Sequence, residues 1–171
     1  MSWGLSLGAL VLAAVAFAPR AGALEPIEDH RDQWGLTASL GTEWDFAAPL
    51  ARNVFGETFS PALEVGGTVA VTDTGDELTL RLRLLDSPGV WPMVLAGWRS
   101  YFGEDELKSF AAAELFGLTA PFWALGAHGG VGGQYDFSRS FGLFVEIGVG
   151  VAVGGVLYRS LDGNLGAQAR F

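Results

Sequence analysis

The sequence predicts an all-β protein: an eight-stranded antiparallel up-and-down transmembrane β-barrel preceded by a cleaved signal peptide. Three observations predict it. The stretch Phe141 to Val153 puts Phe141, Leu143, Val145, Ile147, Val149, Val151 and Val153 on one face and Gly142, Phe144, Glu146, Gly148, Gly150 and Ala152 on the other, the period of two that belongs to strands. The same alternation recurs along the chain, and wherever it is clear the charged residues oppose the bulky apolar ones. After residue 23 no run of 18 purely apolar residues remains, so a bilayer would have to be crossed by strands.

Residues 1–23 read as the signal peptide, with an apolar run from Leu5 to Ala18 and an A-x-A cleavage signal at Ala21-Gly22-Ala23. Residues 24–33 form a short polar lead-in containing Pro26 and a solvated His30, and residues 34–171 form the barrel. Export of a chain with no cysteine removes disulfides and thiolate metal sites together. Loss of Arg20 with the signal leaves nine basic and nineteen acidic residues, a formal charge of −10. Nucleic acid is excluded as a partner, because phosphate binding needs a clustered basic surface and the only lysine is Lys108.

The first strand, Trp34 to Phe46, sets Trp34, Leu36, Ala38, Leu40, Trp44 and Phe46 against Gly35, Thr37, Ser39, Glu43 and Asp45. Its end-loaded aromatics suit the two girdles of a membrane wall. A loop follows at 47–56. The second strand, Phe59 to Val71, opposes Leu63, Val65 and Val69 to Glu64, Thr68 and Ala70, and Asp73-Thr74-Gly75-Asp76 is a tight turn whose glycine suits a positive φ. The third, Glu77 to Leu84, turns Leu78, Leu80, Leu82 and Leu84 away from Thr79, Arg81 and Arg83. A helix would scatter these leucines. Residues 85–89 connect to the fourth strand, Val90 to Phe102, whose phase is set by Arg99: facing lipid at mid-depth it would cost ~2–4 kcal/mol. Gly97, Arg99 and Tyr101 therefore point inward.

Gly103 to Glu106 turns into the fifth strand, Leu107 to Leu118. Placing Lys108 and Glu114 inside also places Phe110, Phe116 and Leu118 inside, so a bulge that resets the phase is the alternative. After a reversal at 119–121, Trp123 to Phe137 sets Trp123, Leu125, Val131, Tyr135 and Phe137 against Gly126, His128, Gly130, Gly132, Gln134 and Asp136. Ser138-Arg139-Ser140 turns the chain into the seventh strand, and a glycine-bearing loop at 154–160 precedes the last, Leu161 to Phe171.

Eight strands close without edges and leave a lumen just wide enough for side chains to fill. Inward Arg81, Arg83, Arg99, Lys108 and Arg170 are expected to meet Glu43, Glu64, Glu114 and Glu146 in a buried ion-pair network, since an isolated buried charge is expensive. A gated path for small solutes is the functional alternative to this plug. His128, the only histidine within a strand, faces the lumen near Glu146 and is the candidate polar site, but Gly129-Gly130 beside it supplies no hydroxyl for catalysis. Gly148-Val-Gly150 lies inside a strand with no helix after it, so it is no nucleotide fingerprint. No cofactor and no metal site is expected from two distant histidines and scattered carboxylates.

The chain ends Asn164-Leu-Gly166-Ala-Gln-Ala169-Arg-Phe171. This resembles the C-terminal β-signal of bacterial outer-membrane proteins, in which Asn164, Gly166, Ala169 and Phe171 hold the polar, glycine, apolar and aromatic places. With the signal peptide, the length and the Gly-rich alternation of residues 121–171, the mature chain resembles the OmpA/OmpX-like group of eight-stranded barrels. The resemblance implies the barrel-assembly machinery as a folding partner, outer-membrane lipids around the wall, a monomer, and an outer-membrane location with both termini periplasmic. It also implies that the longer connections face outward, and here the connections at 47–56, 85–89, 119–121 and 154–160 are short, which speaks against an adhesin. The function expected is that of a structural or surface-exposed wall protein and not of an enzyme. A secreted, lipocalin-like soluble barrel binding an apolar ligand is the alternative, with its faces inverted. A lipid A-modifying enzyme using His128 is the third reading.

Overall fold

The computed structural model describes residues 33–49, 57–72, 75–87, 89–103, 106–119 and 123–171. The expected signal peptide and the expected lead-in up to Asp32, with His30, lie outside the described residues. Eight strands follow one another: β1 (Trp34–Pro49), β2 (Glu57–Ala70), β3 (Glu77–Ser87), β4 (Gly89–Phe102), β5 (Leu107–Leu118), β6 (Ala124–Ser138), β7 (Phe141–Gly154) and β8 (Val156–Arg170). Each pairs antiparallel with the next, and β8 returns to β1 to close the barrel. Closure satisfies the backbone of the first and last strands, which an open sheet would leave unpaired. Both chain ends of the barrel lie together: the Phe171 amide donates to the Trp34 carbonyl at 2.9 Å, and the two rings stack at 4.7 Å.

The alternation read from the sequence sorts the side chains. Leu80 and Val149 are each 60% exposed and Leu143 is 37% exposed on the outside, whereas Glu43, Glu64, Arg81, Arg83, Arg99, Glu114 and Glu146 are all buried within. A lipocalin-like barrel requires the reverse arrangement. The outer wall carries aromatics toward both rims, with Trp34, Phe102, Tyr135, Phe137 and Phe171 toward the termini and Trp44, Phe59 and Trp123 toward the far end.

Three boundaries differ from the sequence reading. β1 continues through Pro49, taking in the first residues of the expected 47–56 loop. β3 and β4 run so close to each other that Ser87 pairs with Gly89, leaving little of the 85–89 connection. The expected 154–160 loop is largely strand, since Val156 to Ser160 pair with β1 from Asp45 to Pro49, and Leu157 to Ser160 pair with β7 from Gly150 to Val153. β5 alternates without a bulge, with Phe110, Phe116 and Leu118 buried. The irregularity lies in β6, between Asp136 and Ser138, where the strand meets its turn. Gly75 has φ 80° in the β2–β3 turn, where the Val71 amide donates to Asp76 O at 2.8 Å, so a glycine is favoured there as its sequence position implies.

The interior is layered along the barrel axis. Toward the far end, Leu85, Met93, Leu95, Phe116 and Leu118 form an apolar cap with Tyr158, flanked by half-buried Trp91. Below it the lumen is ionic. Inward glycines make the room: a Cβ on Gly148 would collide with the His128 ring, and one on Gly130 would sit 2.7 Å from Glu146 Oε1.

Candidate functional site

The site is the charged lumen, and its geometry follows from which strands are neighbours. Arg81 of β3 stands between Glu64 on β2, Glu114 on β5 and Glu146 on β7. Its NH1 donates to Glu64 Oε1 at 2.7 Å and its Nε to Glu114 Oε1 at 2.8 Å; NH2 pairs with Glu114 Oε2 and lies 3.3 Å from Glu146 Oε1. Arg83, two residues on and on the same face, donates from Nε to Glu64 Oε2 at 2.9 Å, from NH1 to Glu43 Oε2 at 2.8 Å and from NH2 to Asp162 Oδ1 at 3.2 Å. Glu64 thus receives both arginines, one on each oxygen. The planar guanidinium fork is suited to such multiple engagement.

Arg99 donates from NH2 to Glu146 Oε2 at 3.0 Å. Its guanidinium carbon lies 4.4 Å from the centre of the Phe110 ring and 5.2 Å from that of Phe144. Those rings face a cation that has one carboxylate contact among the described residues, and the quadrupole of each ring supplies part of the missing stabilisation. Phe110 of β5, one of the inward residues for which a bulge was the alternative, and Phe144 of β7 are therefore partners of an arginine.

Not all of the expected pairs form one network. Arg81, Arg83 and Arg99 meet Glu43, Glu64, Glu114 and Glu146. Lys108 and Arg170 belong instead to a second cluster near the termini. Arg170 donates to Asp136 Oδ1 at 3.1 Å and lies 3.4 Å from Glu77 Oε1, and Lys108 Nζ is 3.5 Å from Asp136 Oδ2. Tyr101 joins this cluster through Gln134 Oε1 at 3.0 Å and Glu77 Oε2 at 3.2 Å. Asp136 and Glu77 were placed inward by the alternation, but the alternation alone does not say which rungs face each other across the lumen.

His128 bonds Glu114 Oε2 through Nδ1 at 3.1 Å and Asp162 Oδ2 through Nε2 at 2.9 Å. With both carboxyls ionised, both bonds form only if each nitrogen carries a hydrogen, and the ring then sits as a cation between two anions. Neither nitrogen is then free to accept a proton from a substrate. Glu114, His128 and Glu146 bring ligand atoms within 4.8 Å of one another, yet Arg81 already bridges the two glutamates. A metal ion there would have to displace a buried guanidinium.

Tyr158 is the residue that sequence reasoning missed. It is fully buried, edge-on to Phe116, and its hydroxyl reaches Glu43 Oε1 and, at 2.5 Å, Asp45 Oδ1. Its signal was alternation carried back through Val156 to Ser160, which assignment to a loop hid.

The four residues at the places of the expected C-terminal signal divide by face. Asn164 is buried and donates to Asp162 Oδ1 at 2.8 Å. Gly166 leaves space for the Phe144 ring. Ala169 lies between Leu36 and Phe141 in the ladder, and Phe171 stands outside against Trp34.

No protein-family model matches the chain, and no curated protein matches it. Solved structures do. Neisserial surface protein A shares 11% identity over 81% of this chain and 97% of its own, with a TM-score of 0.67. A de novo designed transmembrane β-barrel shares 14% identity over 85% of this chain and 100% of its own, with a TM-score of 0.57. At such identity the likeness is one of architecture, and in architecture this chain is a small eight-stranded barrel of the outer-membrane type.

Proposed function

We propose that the chain is an integral outer-membrane β-barrel with both termini in the periplasm, serving as a structural or surface-exposed element of the envelope with a closed lumen and no catalytic activity. One observation carries this reading: the barrel turns most of its large apolar side chains outward while Arg81, Arg83, Arg99, Lys108 and Arg170 are buried inside it. In water such a wall would be an aggregation surface far beyond what a soluble monomer exposes. In a bilayer it is the surface that acyl chains cover, and the aromatics toward the two rims fit the two interfaces.

Outer-membrane lipids around that wall and the barrel-assembly machinery, reading Asn164, Gly166, Ala169 and Phe171, are the partners of this function. A closed barrel offers no edge strand to a second copy, which favours a monomer. The apolar cap over a paired ionic layer favours a plugged lumen over a solute path. The engagement of both His128 nitrogens favours a structural histidine over a lipid-modifying one.

The reading is tested by extraction and reconstitution. The protein should require detergent to leave the envelope, migrate differently on a gel before and after heating, and show no steady conductance in a planar bilayer. Extraction by salt or carbonate alone would overturn the membrane assignment, and large stable channels would overturn the plug. Replacing His128 by Ala should leave the host's lipid A and phospholipid composition unchanged.

A further inference from the structure

We propose that the lumen holds a calcium ion on the β1 side, bound by Glu43 and Asp45 with the hydroxyls of Ser60, Tyr158 and Ser160. Register sets these five residues side by side on the inward face of three adjacent strands: Glu43 pairs with Ser60 on β2, and Asp45 pairs with Ser160 on β8, two residues from Tyr158. All five are buried.

The hydrogen-bond inventory of this corner does not close. The Tyr158 hydroxyl reaches both Glu43 Oε1 and Asp45 Oδ1, but a phenol has one hydrogen and satisfies one of them. Asp45 has no basic side chain among its hydrogen-bond partners in the described residues, because the adjacent Arg83 is spent on Glu43, Glu64 and Asp162. Asp45 Oδ2, on a residue 3% exposed, and Ser60 Oγ, on a residue 0% exposed, have no hydrogen-bond partner among the described residues. Two oxygens without a hydrogen-bond partner, Asp45 Oδ2 on β1 and Ser60 Oγ on β2, thus belong to neighbouring strands, with Ser60 paired to Glu43 in the ladder.

The charge balance of the lumen is short by the same amount. Among the described residues eight buried carboxylates (Glu43, Asp45, Glu64, Glu77, Glu114, Asp136, Glu146, Asp162) face five buried Arg and Lys side chains. With the doubly bonded His128 counted as a sixth cation and all eight carboxyls counted as ionised, an excess of two negative charges remains. One divalent cation neutralises it. The donors are oxygen throughout and come from side chains alone, which suits Ca²⁺ better than Mg²⁺, since Ca²⁺ accepts flexible oxygen cages and Mg²⁺ demands near-ideal octahedral geometry.

The test uses the full barrel refolded in detergent after treatment with a chelator, titrated calorimetrically with CaCl₂. The folded protein should take up one Ca²⁺ saturably. Asp45→Asn should weaken binding at least tenfold and Ser60→Ala several-fold. Asp86→Asn, at an exposed carboxylate on the outer wall near the β3–β4 turn, should leave it unchanged, each variant first shown to fold by its heat-dependent gel shift. Absence of saturable uptake by the wild-type barrel overturns the proposal, and a stabilising Asp45→Asn in that case identifies a shared proton as what fills the corner. Wild-type affinity in Asp45→Asn also overturns it. If that variant does not fold, unchanged affinity in Ser60→Ala does so.

Discussion

Arg81 illustrates how one side chain is bound into this barrel from several strands at once. Its guanidinium answers carboxylates on β2, β5 and β7, so removing it strips three anions of a partner in a place water does not reach. Breaking one side of a buried ion pair costs about 3–5 kcal/mol, and Arg81→Met should lower the unfolding free energy of the refolded barrel, read by urea titration, by that order. Adding Glu114→Gln to that variant should restore part of the loss, because an unpaired charge is then removed. At Gly148 the constraint is steric. Gly148→Ala drives a methyl into the His128 ring, and overpacking of that kind costs about 1–3 kcal/mol. Val149→Ala, one residue on and facing outward, should leave the same unfolding transition nearly in place.

Among the elements, β5 and β8 show where reading by alternation works and where it stops. The phase of β5 is fixed by Lys108 and Glu114, and no bulge is needed, because Phe110 serves Arg99 and Phe116 and Leu118 serve the apolar cap. Inward aromatics contradict a rule that equates the lumen with polarity, and only the fold shows what they touch. The start of β8 was hidden for the converse reason: Tyr158 points inward and Arg159 is exposed on the outer face, so this rung inverts the polarity that marks the other strands. Single cysteines in the cysteine-free chain check these faces. A cysteine at Leu115 should react with a lipid-soluble maleimide and one at Phe116 should not, and the pair Val145 and Glu146 should divide in the same way. Val149→Arg, which sets a cation on the mid-wall, should cost about 2–4 kcal/mol of folding free energy in vesicles.

At the scale of the whole molecule, strand number, closure and the inside-out distribution of charge were legible in the sequence, because each depends only on local alternation. Pairing across the lumen was not. Which rungs meet depends on strand stagger, which is why Lys108 and Arg170 find Asp136 and Glu77 while Arg83 finds Asp162. The seam between β1 and β8 carries a consequence of its own. Gly35 pairs with Arg170, so the last zipper tooth engages only when nearly the whole polypeptide has arrived. Loop-closure entropy for such distant partners is lost before any reward is gained, and contacts of this separation slow folding. A nascent chain lacking its final strand would present two raw margins to hydrocarbon, each with unanswered amides. Truncation just before Val156 should therefore yield no partly stable shorter cylinder, only material that fails to insert.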